Sequence, residues 1–452
     1  MEVQADEAGA IAPASRLTSA KAAAVAGSVV VLILAGLIGA LLAATAKEAC
    51  RAGAWNVGVE QYQAHCYTDI YPLYFVEGLS KGKVPYLDHS LEYPVVMGAV
   101  MQGAAWAVRP STDAGTRGRE FYDVTTAILS VFLVAGVLAT AYCAGRNRRW
   151  TALLVALSPA LILAAFINWD LIAMALTMMA LAAWAARRPV VAGLLLGLAV
   201  ATKFYPVICL VPLFALCLRA GRLREFAMTA CAAAGSWLAV NLPVMIAAPS
   251  SWAYFYTFNA NRAADWGSIW YFFQTEHWPV VGSLPVSQIN LISAGVFLAA
   301  CVAVAALAVA APRRPRLPQL IFLLTAAFLL TNKVWSPQYV VWLVPLVVLA
   351  RPRLGSYLFW QIAEIGYFYA IWAYLIYVID GLGTAGAIGH GLYFTALLAR
   401  FAAVLVLCAL VITDIVRPER DIVRAGGQED DPAGGVLDGA EDRLVLALRP
   451  AS

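Results

Sequence analysis

The sequence is poor in charge, and it has no cluster of histidines. Only 13% of its 452 residues are Asp, Glu, Lys or Arg, against 62% apolar, and the mean hydropathy is +0.75. A chain this short of charge excludes an ordinary soluble domain and points to a multi-spanning membrane protein. Ten-residue alternating segments, the mark of a membrane barrel, are also missing. The apolar runs come in helix lengths, which favours a helical bundle, an all-α polytopic membrane protein. The four histidines lie far apart and the eight cysteines show no metal spacing, so no ligand cluster is offered and a required divalent metal is not expected. There is no Walker loop, dinucleotide fingerprint or G-x-S-x-G elbow. An enzyme built this way has no nucleotide machinery of its own, and a lipid-linked donor would meet that lack. The net charge of +4 says little by itself, and nothing suggests nucleic-acid binding.

What is present is informative by its placement. The basic groups at Arg146 to Arg149, Arg187-Arg188, Arg219 to Arg224, Arg313 to Arg316 and Arg351 to Arg353 fall in short gaps and belong on the cytoplasmic side. Successive groups are separated by out-and-back pairs of apolar runs. These turn at Asn168 to Asp170, Lys203 to Pro206, residues 249–285 and Asn332 to Pro337, all on the outer face. The expected spans are 23–45, 121–144, 151–167, 171–186, 190–203, 205–218, 226–248, 286–311, 318–331, 338–350, 354–378 and 390–414. That is about twelve transmembrane or partly penetrating helices, several too short to cross straight. Residues 95–108 are also too short, so they read as a juxtamembrane helix inside one large first external region, 46–120. The membrane domain covers 23–416, between tails at 1–22 and 417–452 that composition predicts to be disordered and cytoplasmic. Cys50 and Cys66 both fall in the first external region, where a disulfide can form.

That region holds the densest set of ionisable groups, Asp69, Glu77, Asp88, His89 and Glu92, with Tyr71-Pro72 and Tyr93-Pro94 steps. Asp69, near the expected membrane surface, is a candidate general base if burial raises its pKa; it can equally be a helix cap. Asp170 either caps the helix that follows it or orients an acceptor hydroxyl. Lys203 and Lys333 each interrupt apolar sequence, which is costly unless the charge is paired or wet. They are read as contacts to an anionic ligand, with snorkelling to the headgroups as the alternative. The stretch SWAYFYTFNANRAADWGSIWYFFQTEHWPV is dense in aromatics and carries Arg262, Asp265, Glu276 and His277. Glu364, in a late span, is expected to pair or face a cavity.

Four blocks together resemble the actinobacterial membrane glycosyltransferases of family 87, which have the C-type fold and use polyprenyl-phosphate sugars. They are TDIYPLYFVEGLSKGKVPYLDHSLEYPVV, NWDLIAMAL, ATKFYPVICLVPLFAL and NKVWSPQYVVWLVPLVVLARPR, in that order across most of residues 66–353. The resemblance implies transfer of mannose, or in some members arabinofuranose, to a glycan or glycolipid acceptor at the outer face of the plasma membrane. It implies that Asp69 is the general base and that Lys203 and Lys333 contact the donor phosphate. Tyr205 and Gln338, in the same blocks, together with Asp170, Arg262, His89 and Glu92, complete the expected substrate-binding set. The family's second proline after Tyr93-Pro94 is replaced by Val95, which bears on acceptor details and not on Asp69. The expected partners are the lipid-linked donor, the acceptor and membrane lipids, with the protein itself a monomer. The rival classes are a lipid or solute transporter and a structural membrane protein. No convincing internal repeat supports a transporter, and the large first external region favours an enzyme.

Overall fold

A computed structural model describes residues 14–425 and 430–446, with side chains from residue 25 onward. Among the described residues the chain is helical throughout, and its only β feature is an isolated bridge between Pro85 and His89. Six helices are long and apolar enough to cross a membrane: Val25–Thr45, Ala114–Cys143, Leu223–Ala247, Val286–Ala310, Leu354–Asp380 and His390–Val416. The apolar windows of Leu223–Ala247 and Val286–Ala310 are each only 11% buried inside the protein, so their Leu, Val and Ile side chains point outward, as lipid contact requires.

The remaining apolar helices are short. Pro189–Thr202 has 14 residues, roughly 21 Å at the α-helical rise, against a hydrocarbon core of ~30 Å. Val340–Ala350 is buried along its whole length. Beside the expected twelve or so transmembrane or partly penetrating helices, the described residues hold six helices long enough to cross and six shorter apolar ones. The shorter ones owe their length to how they end. Pro189–Thr202 stops at Lys203 ahead of Pro206, Leu317–Thr331 stops at Asn332, and the chain restarts at Pro337, so backbone breaks fall where polar side chains collect. The expected span 151–167 is likewise broken, into Leu153–Ala156 and Pro159–Ala164. Ser158 caps the second piece by accepting from Leu161 N, and Gln361 Oε1 accepts from Ser158 Oγ at 3.0 Å.

Close helix contact brings Lys203 inward. At Gly193 an added Cβ would lie 2.2 Å from Thr229 O, and at Gly197 2.1 Å from Ala233 O. This small-residue spacing lets Pro189–Thr202 lie directly on Leu223–Ala247.

Asp113 accepts from Gly115 N and Thr116 N and starts the Ala114–Cys143 helix, so more than half of the polar RPSTDAGTRGRE stretch is helical. Two expectations are corrected. Residues 249–285 are not a loop but carry the helices Pro249–Asn261 and Ile269–Thr275. The C-terminal segment beyond 416 is not loose where it is described. Asp421, Arg424 and Asp431 are buried, with Asp421 bonded to Arg316 at 2.7 Å and Asp442 to Arg219 at 2.8 Å and Arg314 at 2.7 Å. Residues 1–13 of the expected N-terminal tail lie outside the described residues, and 14–22 continue the first helix.

These pairings gather the basic segments at one end of the bundle, since Arg148 reaches Ile422 O, Arg351 pairs with Asp414 and Arg353 donates to Arg420 O. At the other end, Asn168, Lys203, Arg262 and Ser336 line a single cavity. Cys50 and Cys66 form a disulfide at that end.

Candidate active site

The cavity has a volume of about 280 Å³. Its polar wall comes from five separate stretches: Tyr67, Asp69 and Glu92 from residues 67–92, Asn168 ahead of Asp170–Ala185, Lys203 at the end of a short helix, Arg262 and Asp265 after Pro249–Asn261, and Ser336, Gln338 and Tyr339 before Val340–Ala350.

Asp69 directly precedes the helix Ile70–Val76, yet its side chain makes no capping hydrogen bond. Its backbone N donates to Ile167 O at 2.7 Å, and Oδ1 accepts from Tyr67 Oη at 2.6 Å. The helix-cap alternative is thereby removed, and the carboxylate is turned to the cavity. Burial is the main cause that pushes its pKa up to about 6. The Tyr67 hydrogen bond opposes that rise, Glu92 and Asp170 add to it, and Lys203 works against it. Glu92 is also held above the ordinary carboxylate range by burial, with Arg262 pulling it back. Asp265 is raised for the same first reason, countered by Arg262 and by Ser336, whose Oγ donates to Asp265 Oδ2 at 3.1 Å. Gly267 allows this approach, since a Cβ there would lie 2.0 Å from Trp335 O.

Lys203 Nζ sits 3.1 Å from Asp170 Oδ1. It lies over the rings of Tyr339 at 5.2 Å, Tyr93 at 5.5 Å and Trp342 at 5.9 Å, an aromatic box suited to a cation. Asp170 is 1% exposed, also accepts from Trp342 Nε1 at 3.0 Å, and lies behind the cavity lining. It is the counter-ion of Lys203, and the local cap is Asn168, whose Oδ1 accepts from Asp170 N at 3.0 Å. Tyr205 is buried too. It stacks on Trp342 with centroids 4.1 Å apart, while Tyr339 covers the other face at 4.0 Å, so Tyr205 braces the box and does not line the cavity.

Arg262 lines the cavity with a loose partner, Asp265 at 4.0 Å. Lys333 corrects an expectation. It is 4% exposed, its Nζ donates to Ala260 O at 2.9 Å, and it does not line the cavity. Burial, with Arg262 nearby, lowers its pKa to about 8. Its backbone O accepts from Asp265 N at 2.8 Å, so the residue holds the 260–265 segment. His89 is a second correction, because it pairs with Glu77 at 3.0 Å away from the cavity. Glu364 pairs with Arg400 at 2.9 Å; Arg400 in turn lies between the rings of Trp335 and Tyr367 and donates to Trp335 O, which fixes the 333–336 backbone.

Sequence reasoning missed Tyr67 and Lys47. Lys47 is 1% exposed and its Nζ donates to Tyr67 O at 3.0 Å. The only available signal was a lysine immediately after an uncharged apolar run. Among the described residues no three His, Cys, Asp or Glu side chains form a group that could hold a metal.

A buried carboxylate in one cavity with a boxed lysine and an arginine places a proton acceptor beside cations that suit an anionic group. Residues 119–337 match the family model of glycosyltransferase family 87. The matched stretch is just under half of the chain, and over it the chain is similar to glycosyltransferases of that family. No curated protein matches the chain. The family 87 segment contributes Lys203, Arg262, Asp265 and Ser336 to the cavity, while Asp69 and Glu92 come from the chain before it.

Proposed function

We propose that the protein transfers a mannosyl residue from polyprenyl-phosphate-mannose to a hydroxyl of a glycan or glycolipid on the outer face of the plasma membrane. The reaction is a single inverting displacement. The acceptor O–H gives its proton to Asp69 while its oxygen bonds to the anomeric carbon. The bond from that carbon to the phosphate oxygen breaks, and its electron pair leaves on polyprenyl phosphate. Arg262 and Lys203 meet the charge that develops there. Phosphate leaves readily, so this step needs no dedicated general acid.

The observation that carries the reading is the position of Asp69 in one cavity with Lys203 and Arg262, its pKa of about 6. A base poised just below neutrality is mostly ionised at pH 7 and still basic enough to take a proton in the transition state. Arg262 has only a 4.0 Å contact with Asp265 and can turn to a phosphate. The outer-face assignment rests on charge bias, since the basic segments gather at the opposite end of the bundle.

The test is direct. Purified protein is incubated with labelled polyprenyl-phosphate-mannose or polyprenyl-phosphate-arabinose and a cell-envelope acceptor extract. Labelled product from the mannose donor alone supports the reading. Product from the arabinose donor alone overturns the sugar assignment, and donor carried across a vesicle without product overturns transfer itself.

A further inference from the structure

The three residues leading to the proposed base, and the base itself, are each tied down separately. Cys66 is bonded to Cys50. Tyr67 O accepts from Lys47 Nζ at 3.0 Å. Thr68 Oγ1 lies 2.7 Å from Phe166 O and 3.0 Å from Ile167 O, and Asp69 N donates to Ile167 O. A loop that served only as a connector would have no need of a tie at every residue.

Lys47 is the costly member. Its ammonium is 1% exposed, and among the described residues it has no carboxylate within ion-pairing distance. Burying a charge without a counter-ion is unfavourable, and an apolar side chain would fill the space without that cost. Its one hydrogen bond goes to the carbonyl of Tyr67, and Asp69 is the charge that acts on it. The Tyr67 ring packs in one cluster with Tyr62, at 5.6 Å and 16°, and Trp372, at 4.9 Å, which also touch each other. With its ring packed in that cluster and its carbonyl held by Lys47, the phenol donates to Asp69 Oδ1 at 2.6 Å. Oδ2 is left for an acceptor hydroxyl.

We propose that Lys47 and Tyr67 are positioning residues that hold Asp69 in its proton-accepting orientation and favour its ionised form. The proposal rests on the reading of Asp69 as the base. The hydrogen bond from Tyr67 stabilises the carboxylate, and Lys47, whose ammonium burial pushes down to about 7 while Asp69 pulls it back up, acts by fixing the Tyr67 carbonyl. The other groups that act on Asp69 are Glu92 and Asp170, which oppose ionisation, and Lys203, which favours it.

The test is the pH profile of kcat/KM for mannosyl transfer by the full-length, disulfide-intact protein. Tyr67→Phe keeps the stacked ring and removes only the phenol. It is expected to move the acid limb upward by about one pH unit, as loss of one hydrogen bond to a carboxylate does, and to lower kcat with the donor KM unchanged. Lys47→Met is expected to move the limb the same way. An acid limb unmoved in Tyr67→Phe overturns the proposal, whatever Lys47→Met does; a limb moved by Tyr67→Phe alone removes Lys47 from it. Asp69→Asn separates the two levels. If that variant is inactive while the Tyr67→Phe limb stays put, the base stands and the positioning role falls; if it is active, both fall.

Discussion

At the scale of single residues, the proposed chemistry depends on the ionisation of Asp69 and on which cations are free to act. Burial raises the carboxyl of Asp69 to about 6, and a general base works only when deprotonated. Transfer by the wild-type protein is therefore expected to hold above pH 7 and to fall as pH drops through about 6, not near 4 as for an ordinary carboxylate. A pH series of initial rates checks this. Among the cations, Lys203 is already paired with Asp170 and Lys333 is turned to a backbone carbonyl, while Arg262 is loosely held. Arg262→Ala is expected to raise the donor KM by roughly tenfold, the size of one charge-assisted hydrogen bond. Lys333→Ala should act less on KM and more on thermal stability, and steady-state kinetics on both variants distinguishes them. In sequence Lys203 and Lys333 look alike, each a lone lysine within apolar flanks. Only the fold separates them, because the direction of a side chain at a helix end depends on how neighbouring segments cross it. Asp69 was one of five ionisable groups in its stretch, and family resemblance, not spacing, singled it out.

At the scale of elements, the long apolar helices were readable because hydropathy alone sets them. The breaks were readable only in part: Pro206 and Pro337 mark two of them, whereas the interruption before Pro159 depends on Ser158 and Gln361, far apart in the chain. The C-terminal segment misled for a similar reason. Its Gly, Asp and Arg content is that of a disordered tail, yet its acids find arginines in loops a hundred residues away. Arg316 and Asp421 are both 2% exposed by side chain, and Arg316 also donates to Leu349 O and Ala350 O. Removing one member of a buried pair leaves the other charge unpaired, at a cost of about 3–5 kcal/mol. Asp421→Ala is therefore expected to lower thermal stability in detergent strongly, while a substitution at exposed Glu419 should not. Differential scanning fluorimetry on the two variants checks the comparison.

At the scale of the whole molecule, the chain passes between two chemically distinct ends. One carries the arginine-rich loops and the segment beyond 416, the other the cavity, the disulfide and the helices of 249–275. Charge parity along the sequence led to the same division, because loop charge is a property of composition and needs no tertiary contact to be read. Under the proposed orientation, cysteines placed at the exposed positions Ser90 and Thr112 should label with a membrane-impermeant maleimide in intact cells. One placed at Arg222 should label only after lysis. The reverse pattern would put the cavity on the cytoplasmic side and remove the outer-face assignment.

The central claim is that Asp69 is the base for glycosyl transfer, and single-turnover transfer from polyprenyl-phosphate-mannose by Asp69→Asn tests it most directly. Asparagine keeps the shape of the side chain and its place beside Tyr67 but cannot take the proton. The account predicts product formation reduced by a factor on the order of a thousand, in the range general-base catalysis supplies, with donor binding and folding retained. Wild-type rates in that variant would contradict it.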